Sequence, residues 1–144
     1  MKFKALLSAL TLVSAFLNAD VTVQDAWARA STGPNSAMFG LFTNTSDKDD
    51  QLIAVAVKDA KFCGHTELHN HVEENGVMKM RPVENIVIPA NGTAELKPGS
   101  LHVMFMEIAS PMNENDVVPV TLTFASGQTL DLDVPVKPAV AHKH

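Results

Sequence analysis

The hydrophobic rhythm of the chain limits its fold more than any other feature. After Asp20, apolar residues recur at every second position in short runs broken by turn residues, and no run of a dozen carries helical spacing. A period of two is what a strand with one buried face imposes. Val21 and Val23 open the first such run and lead into Ala26-Trp27-Ala28-Arg29, and a Gly/Pro loop follows at 31–35. Phe39, Leu41 and Thr43 alternate next. After the polar turn at 44–50, Ile53, Val55 and Val57 alternate with Ala54, Ala56 and Lys58. Further strands are expected at 66–72, 77–81, 93–97, 101–108 and 117–124, and Leu130, Leu132, Val134 and Val136 form the last. Strands of this length and spacing predict an all-β chain, a two-sheet β-sandwich with Greek-key connections and little helix.

Three segments divide the 144 residues. Residues 1–19 carry Lys2 and Lys4, an apolar stretch and a small-residue end, the layout of a signal peptide for export. Cleavage after Ala19 leaves Leu17 where a small residue is preferred, so Ala15 is an alternative end. A membrane anchor is the competing reading, but the apolar run falls short of the ~20 residues a spanning helix needs. The working protein is therefore expected in the periplasm, without stable membrane insertion after cleavage. Residues 20–137 make one domain, and 138–144 make a short tail holding His142 and His144.

The formal charge of −5 grows more negative once the leader lysines are removed, and an acidic surface argues against a nucleic-acid partner. With one cysteine, Cys63, no internal disulfide can form, so an exported domain must rely on its core. Cys63 is then a free thiol or a dimer contact.

Asn75 and Gly76 supply a register. Both central residues of a type I′ hairpin turn need positive φ, and Asn-Gly is a preferred pair for it. If these two form the loop, Glu74 pairs with Val77 and His71 lies opposite Met80. His69 then becomes the diagonal neighbour of Met80 on the same face, roughly 7 to 8 Å away in Cα, a span that two long side chains can close around a metal ion. His102 and Met104, two apart on another strand, also project together, with Met106 one step further along. Packing that strand beside the hairpin would complete a set of two histidines and two methionines, with His71 within reach as an additional or substitute donor.

Thioether sulfur selects Cu(I) over harder ions, and imidazole suits copper in either oxidation state. Methionine alone would read as core filler. Concentration tells against that: eight of the twelve His and Met residues after position 19 lie between His65 and Met106. His142 and His144 could hold Cu(II) loosely. Cys63 and His65 are weaker candidates, Trp27 and Arg29 look structural, and Met78 looks like packing or an outer contact.

These residues resemble the periplasmic copper chaperone PCu(A)C family, whose pattern is His, ten residues, Met, twenty-one residues, His, one residue, Met. His69, Met80, His102 and Met104 match all four positions. The likeness extends through Ala26-Trp27-Ala28-Arg29, Glu67-Leu68-His69, Gly76-Val77-Met78-Lys79-Met80-Arg81-Pro82-Val83, Leu96-Lys97-Pro98-Gly99, Leu101-His102-Val103-Met104 and the segment 118–124. It implies a cupredoxin-like sandwich that carries Cu(I) on those four residues and delivers it for assembly of the copper centre of cytochrome c oxidase, with a Sco-type copper protein as co-worker. His71 departs from the family, where Met is frequent, and could strengthen Cu(II) binding.

Other functions fit the residues less well. A blue-copper electron carrier needs a cysteine thiolate beside two histidines, and Cys63 lies outside both halves of the set. No nucleophile motif or general base marks an enzyme. A metal-free structural sandwich would leave the histidine enrichment without a cause.

Overall fold

The computed structural model describes residues 20–59 and 61–138. The expected signal peptide at 1–19 and the tail histidines His142 and His144 lie outside the described residues. Ten strands form, and no helix occurs among the described residues: β1 (Val21–Arg29), β2 (Ser36–Asn44), β3 (Asp50–Val57), β4 (His65–Glu74), β5 (Val77–Val83), β6 (Ile86–Ile88), β7 (Gly92–Leu96), β8 (His102–Met106), β9 (Val117–Phe124) and β10 (Thr129–Lys137). Hydrogen bonding runs in the order β5-β4-β8-β2-β1-β10-β9-β3-β6, with β7 also on β2. All pairings are antiparallel except a two-residue parallel contact of β1 with β10 at Ala28↔Val136 and Arg29↔Lys137. At that short seam the path folds over, and two layers face each other.

The space between the layers holds the core. Met38, Phe42, Val103 and Phe105 enter from one side, and Leu52, Val118, Val120, Leu122, Phe124 and Val134 from the other, each fully or almost fully buried. The Phe42 and Phe124 rings meet across the gap at 6.4 Å between centroids. Burying aromatic and branched side chains at every second position of both sheets is the main stabilising term, at roughly 1.5–3 kcal/mol per fully buried side chain.

Two irregularities depart from the sequence reading. A register shift between Leu52 and Ala54 bends β3, so Leu52 and Val55 face inward while Ile53 is exposed at 43 %. Strict alternation had placed Ile53 with Val55. A second shift between Gln24 and Trp27 in β1, with Asp25 at φ 58°, brings Trp27 opposite Phe39. Gly40 allows this close approach, because a Cβ there would meet Ala26 Cα and Val23 Cγ1 at 3.2 Å. Strand β6 was not anticipated, and β8 is shorter than the 101–108 expected, ending before Glu107 at φ 58°.

Candidate metal-binding face

The turn at Asn75 (φ 54°) and Gly76 (φ 81°) has the positive φ values expected. β4 and β5 pair as Glu74↔Val77 and His71↔Met80, the register read from the turn. On the back of this hairpin Arg81 donates twice to Glu74, through Nε at 3.0 Å and Nη2 at 2.8 Å. The exposed pair adds little stability but fits the same register.

β8 lies on the other side of β4, paired as His69↔His102, Glu67↔Met104 and His65↔Met106. Val103 and Phe105 point into the core, so His102, Met104 and Met106 project from the opposite face. On β4, Leu68 is buried and the Thr66 hydroxyl donates to the Val55 carbonyl of the other layer. His65, Glu67, His69 and His71 therefore share the outer face with the β8 trio. The antiparallel ladder thus brings His69, His71, Met80, His102 and Met104 onto one surface.

His102 occupies the middle. Its ring centroid is 5.6 Å from that of His69 and 5.5 Å from that of His71. The Phe39 ring lies 6.2 Å from it, and Trp27 packs against Phe39 at 4.8 Å with the rings tilted by 41°. His69 and His102 are buried, whereas Met80 is 41 % exposed. Met104 joins His71, Met80 and His102 in the wall of an open cavity of about 320 Å³.

Backbone and carboxylate partners fix which imidazole nitrogens are free. His102 Nδ1–H donates to the Ser100 carbonyl at 2.8 Å, and His71 Nδ1 lies 3.3 Å from the same oxygen. That leaves His102 Nε2 with a lone pair, and it faces the Met80 sulfur at 3.1 Å. Neither atom then has a hydrogen to share. Two donors on one tetrahedral ion, with bonds of about 2.0 Å to nitrogen and 2.3 Å to sulfur, stand about 3.5 Å apart, so the observed spacing is close to that of a ligand pair. His69 is held the other way round: Nε2–H donates to Glu67 Oε1 at 2.8 Å, and Nδ1 is buried without a hydrogen-bond partner among the described residues.

Charge follows the same arrangement. Burial, above all, lowers the His102 pKa; the Ser100 hydrogen bond opposes this, and electrostatic repulsion of an added proton by the neighbouring His69, His71 and Arg29 side chains adds to it. Glu67, shared by His69 and by His65 Nε2 at 2.9 Å, stays ionised below the usual carboxylate range, the His69 hydrogen bond being the larger cause.

Several side chains read differently in place. Cys63 is buried, and its thiol donates to the His65 carbonyl at 2.9 Å, so it belongs to the interior and not to a dimer contact. Met78 is 59 % exposed and packs against no core. Glu67 and the Ser100 carbonyl were not singled out from sequence. Glu67 shares the strand parity of His69 and His71, a signal that could have found it; a backbone carbonyl in a loop leaves no such trace. Among the described residues, no three His, Cys, Asp or Glu side chains converge to hold an ion by themselves.

The same architecture occurs in solved structures. The copper-bound PCuAC domain from PmoF2 superposes with a TM-score of 0.67 at 23 % identity, covering 83 % of this chain and 93 % of that one. The Cu(I) form of DR1885 from Deinococcus radiodurans gives 0.58 at 26 % identity, covering 88 % and 85 %. Fold and sequence pattern together define a PCuAC-type domain. The family described as "Putative lipoprotein LpqE-like" matches residues 21–136, and the chain belongs to it. A relative named "Putative lipoprotein Lxx21020", from Leifsonia xyli subsp. xyli, is 32 % identical over 118 residues, 81 % of this chain. The chain covers 69 % of that relative's length, and 56 % of the length of "Uncharacterized protein RP573" from Rickettsia prowazekii, to which it is 31 % identical over 104 residues.

Proposed function

We propose that this protein is an exported copper metallochaperone, a binding protein and not an enzyme, which carries Cu(I) on His69, Met80, His102 and Met104 with His71 as an adjacent fifth donor. The observation that carries the reading is the convergence of His102 Nε2 and Met80 Sδ at 3.1 Å, two lone-pair donors with no hydrogen between them. A set completed by thioethers favours a soft monovalent ion. The solved relatives are described as copper-bound and as a Cu(I) form, which supports the same cargo here.

Partial exposure of Met80 suits a carrier, since an acceptor can reach the ion from the open side and replace ligands one at a time. The description of the family and of the Leifsonia relative as putative lipoproteins supports export, and we place the protein in the periplasm. We take the acceptor to be the copper-centre subunit of cytochrome c oxidase, with a Sco-type copper protein in the same route. Cys63 is buried with its thiol turned to the His65 and Met106 carbonyls, which argues against a thiolate-bound blue-copper centre.

Competition of the protein against a Cu(I) chelator tests the assignment. Met80→Leu and Met104→Leu keep side-chain volume but remove the sulfur, and each should weaken Cu(I) binding by roughly tenfold or more. Equal affinity in wild type and both variants would sink the ligand set.

A further inference from the structure

We propose that the cavity beside the histidine–methionine face binds a small carboxylate, held by Arg29 at one end and reaching toward the copper-binding side chains at the other. The chain has two arginines. Arg81 is paired with Glu74 through two of its N–H groups, whereas no ion pair among the described residues includes Arg29, and its Nε is buried without a hydrogen-bond partner. A guanidinium carries five donors and keeps its charge at any relevant pH. One left unpaired in a partly closed site has unused binding capacity.

The surroundings say what it would take. Arg29 rests over the Phe39 ring, 5.3 Å from guanidinium carbon to centroid, a cation–π contact that uses none of its N–H donors in a hydrogen bond to an acceptor oxygen. Arg29 lines the same cavity of about 320 Å³ as His71, Met80, His102 and Met104. The two serine hydroxyls in that wall are already used, Ser31 donating to the Asn35 carbonyl and Ser36 to the Arg29 carbonyl. The guanidinium is the cationic group of this wall and has no ion-pair partner among the described residues, and its fork matches a carboxylate.

Electrostatics supply the second reason. The Arg29 guanidinium lines the same cavity as His102, so its charge opposes a cation held there. A carboxylate between the two would offset that repulsion and could contribute an oxygen to the ion. The bridging role rests on the copper reading; carboxylate binding by itself does not.

Acetate is the probe, and acetamide is its neutral counterpart of the same shape. Titrated into the metal-free protein, acetate should give saturable NMR shifts at the Arg29 side-chain N–H and in the cavity wall. Acetamide should give none, and Arg29→Met should bind acetate about tenfold more weakly or worse. Arg29→Lys, which keeps the charge and loses the fork, should also bind more weakly, and it serves if the methionine variant does not fold. Equal shifts from acetamide, or an undiminished acetate response in both variants, would overturn the proposal, as would shifts that never saturate. With Cu(I) loaded, acetate and copper should tighten each other's binding by the same factor. Cu(I) binding without any acetate response removes the carboxylate site alone; acetate binding in a protein that takes no Cu(I) removes the copper reading and leaves the carboxylate site.

Discussion

At His102 burial and neighbouring positive charge act on one imidazole in the same direction, and only the Ser100 carbonyl opposes them. The folded protein therefore holds this ring neutral to a lower pH than the ordinary 6.5. As pH falls through the window between the ordinary and the folded values, the unfolded chain takes up a proton that the folded chain refuses. Stability should fall across that window and level off below it. An NMR titration of the metal-free protein should place the His102 midpoint below the ordinary histidine value, and a midpoint at or above it would contradict the burial described. Glu67 acts on the neighbouring ring by holding Nε2–H of His69, which leaves Nδ1 as the ring nitrogen with a free lone pair and, on the proposed copper reading, as the donor atom. Partners of this kind orient metal ligands, and losing one costs about 10–100-fold in affinity. Glu67→Ala should weaken Cu(I) binding by that order and shift His69 away from the Nε2–H tautomer, read from its ring nitrogen shifts; an unchanged tautomer would count against the role.

The hairpin of β4 and β5 is the element whose geometry was legible before any coordinates. Asn75 and Gly76 specify a two-residue turn, and a period of two then assigns every side chain to a face. His71 opposite Met80 follows from that alone. The Gly76 φ of 81° is the critical backbone angle, and a Cβ there would meet no neighbour within 4 Å. Gly76→Ala should therefore cost about 1–2 kcal/mol through backbone conformation alone, measured by urea unfolding. A neutral result would mean that the turn relaxes to another type. Strand β3 shows where legibility ends. Its alternating Ile53, Val55 and Val57 suggested one face, but the bulge at Leu52 and Ala54 turns Ile53 outward, and bulges leave no distinctive residue signature. Strand β6, three residues long, is too short for a period to register.

On the scale of the whole molecule, the candidate binding face stands on the back of the core. Val103, Phe105 and Leu68 bury the inner side of the strands that carry His102, Met104 and His69. Phe124 joins the layers by packing on Phe42, and Phe124→Ala should cost about 3–5 kcal/mol, visible as a lower denaturation midpoint. Copper, binding only the folded form, should recover part of that loss; no recovery at saturating Cu(I) would argue that the ion does not select the native face. Residue types and local periods, which act over a few positions, determined by themselves the all-β class, the hairpin register and the identity of five candidate donors. They could not decide that β8 lies against β4 with His69 opposite His102, because that pairing joins segments some thirty residues apart and depends on how both layers bury their inner faces. Nor could they bring Arg29 from the end of β1 to the cavity wall, or point the Ser100 carbonyl at two imidazoles. Those placements come from long-range packing, which no local spacing encodes.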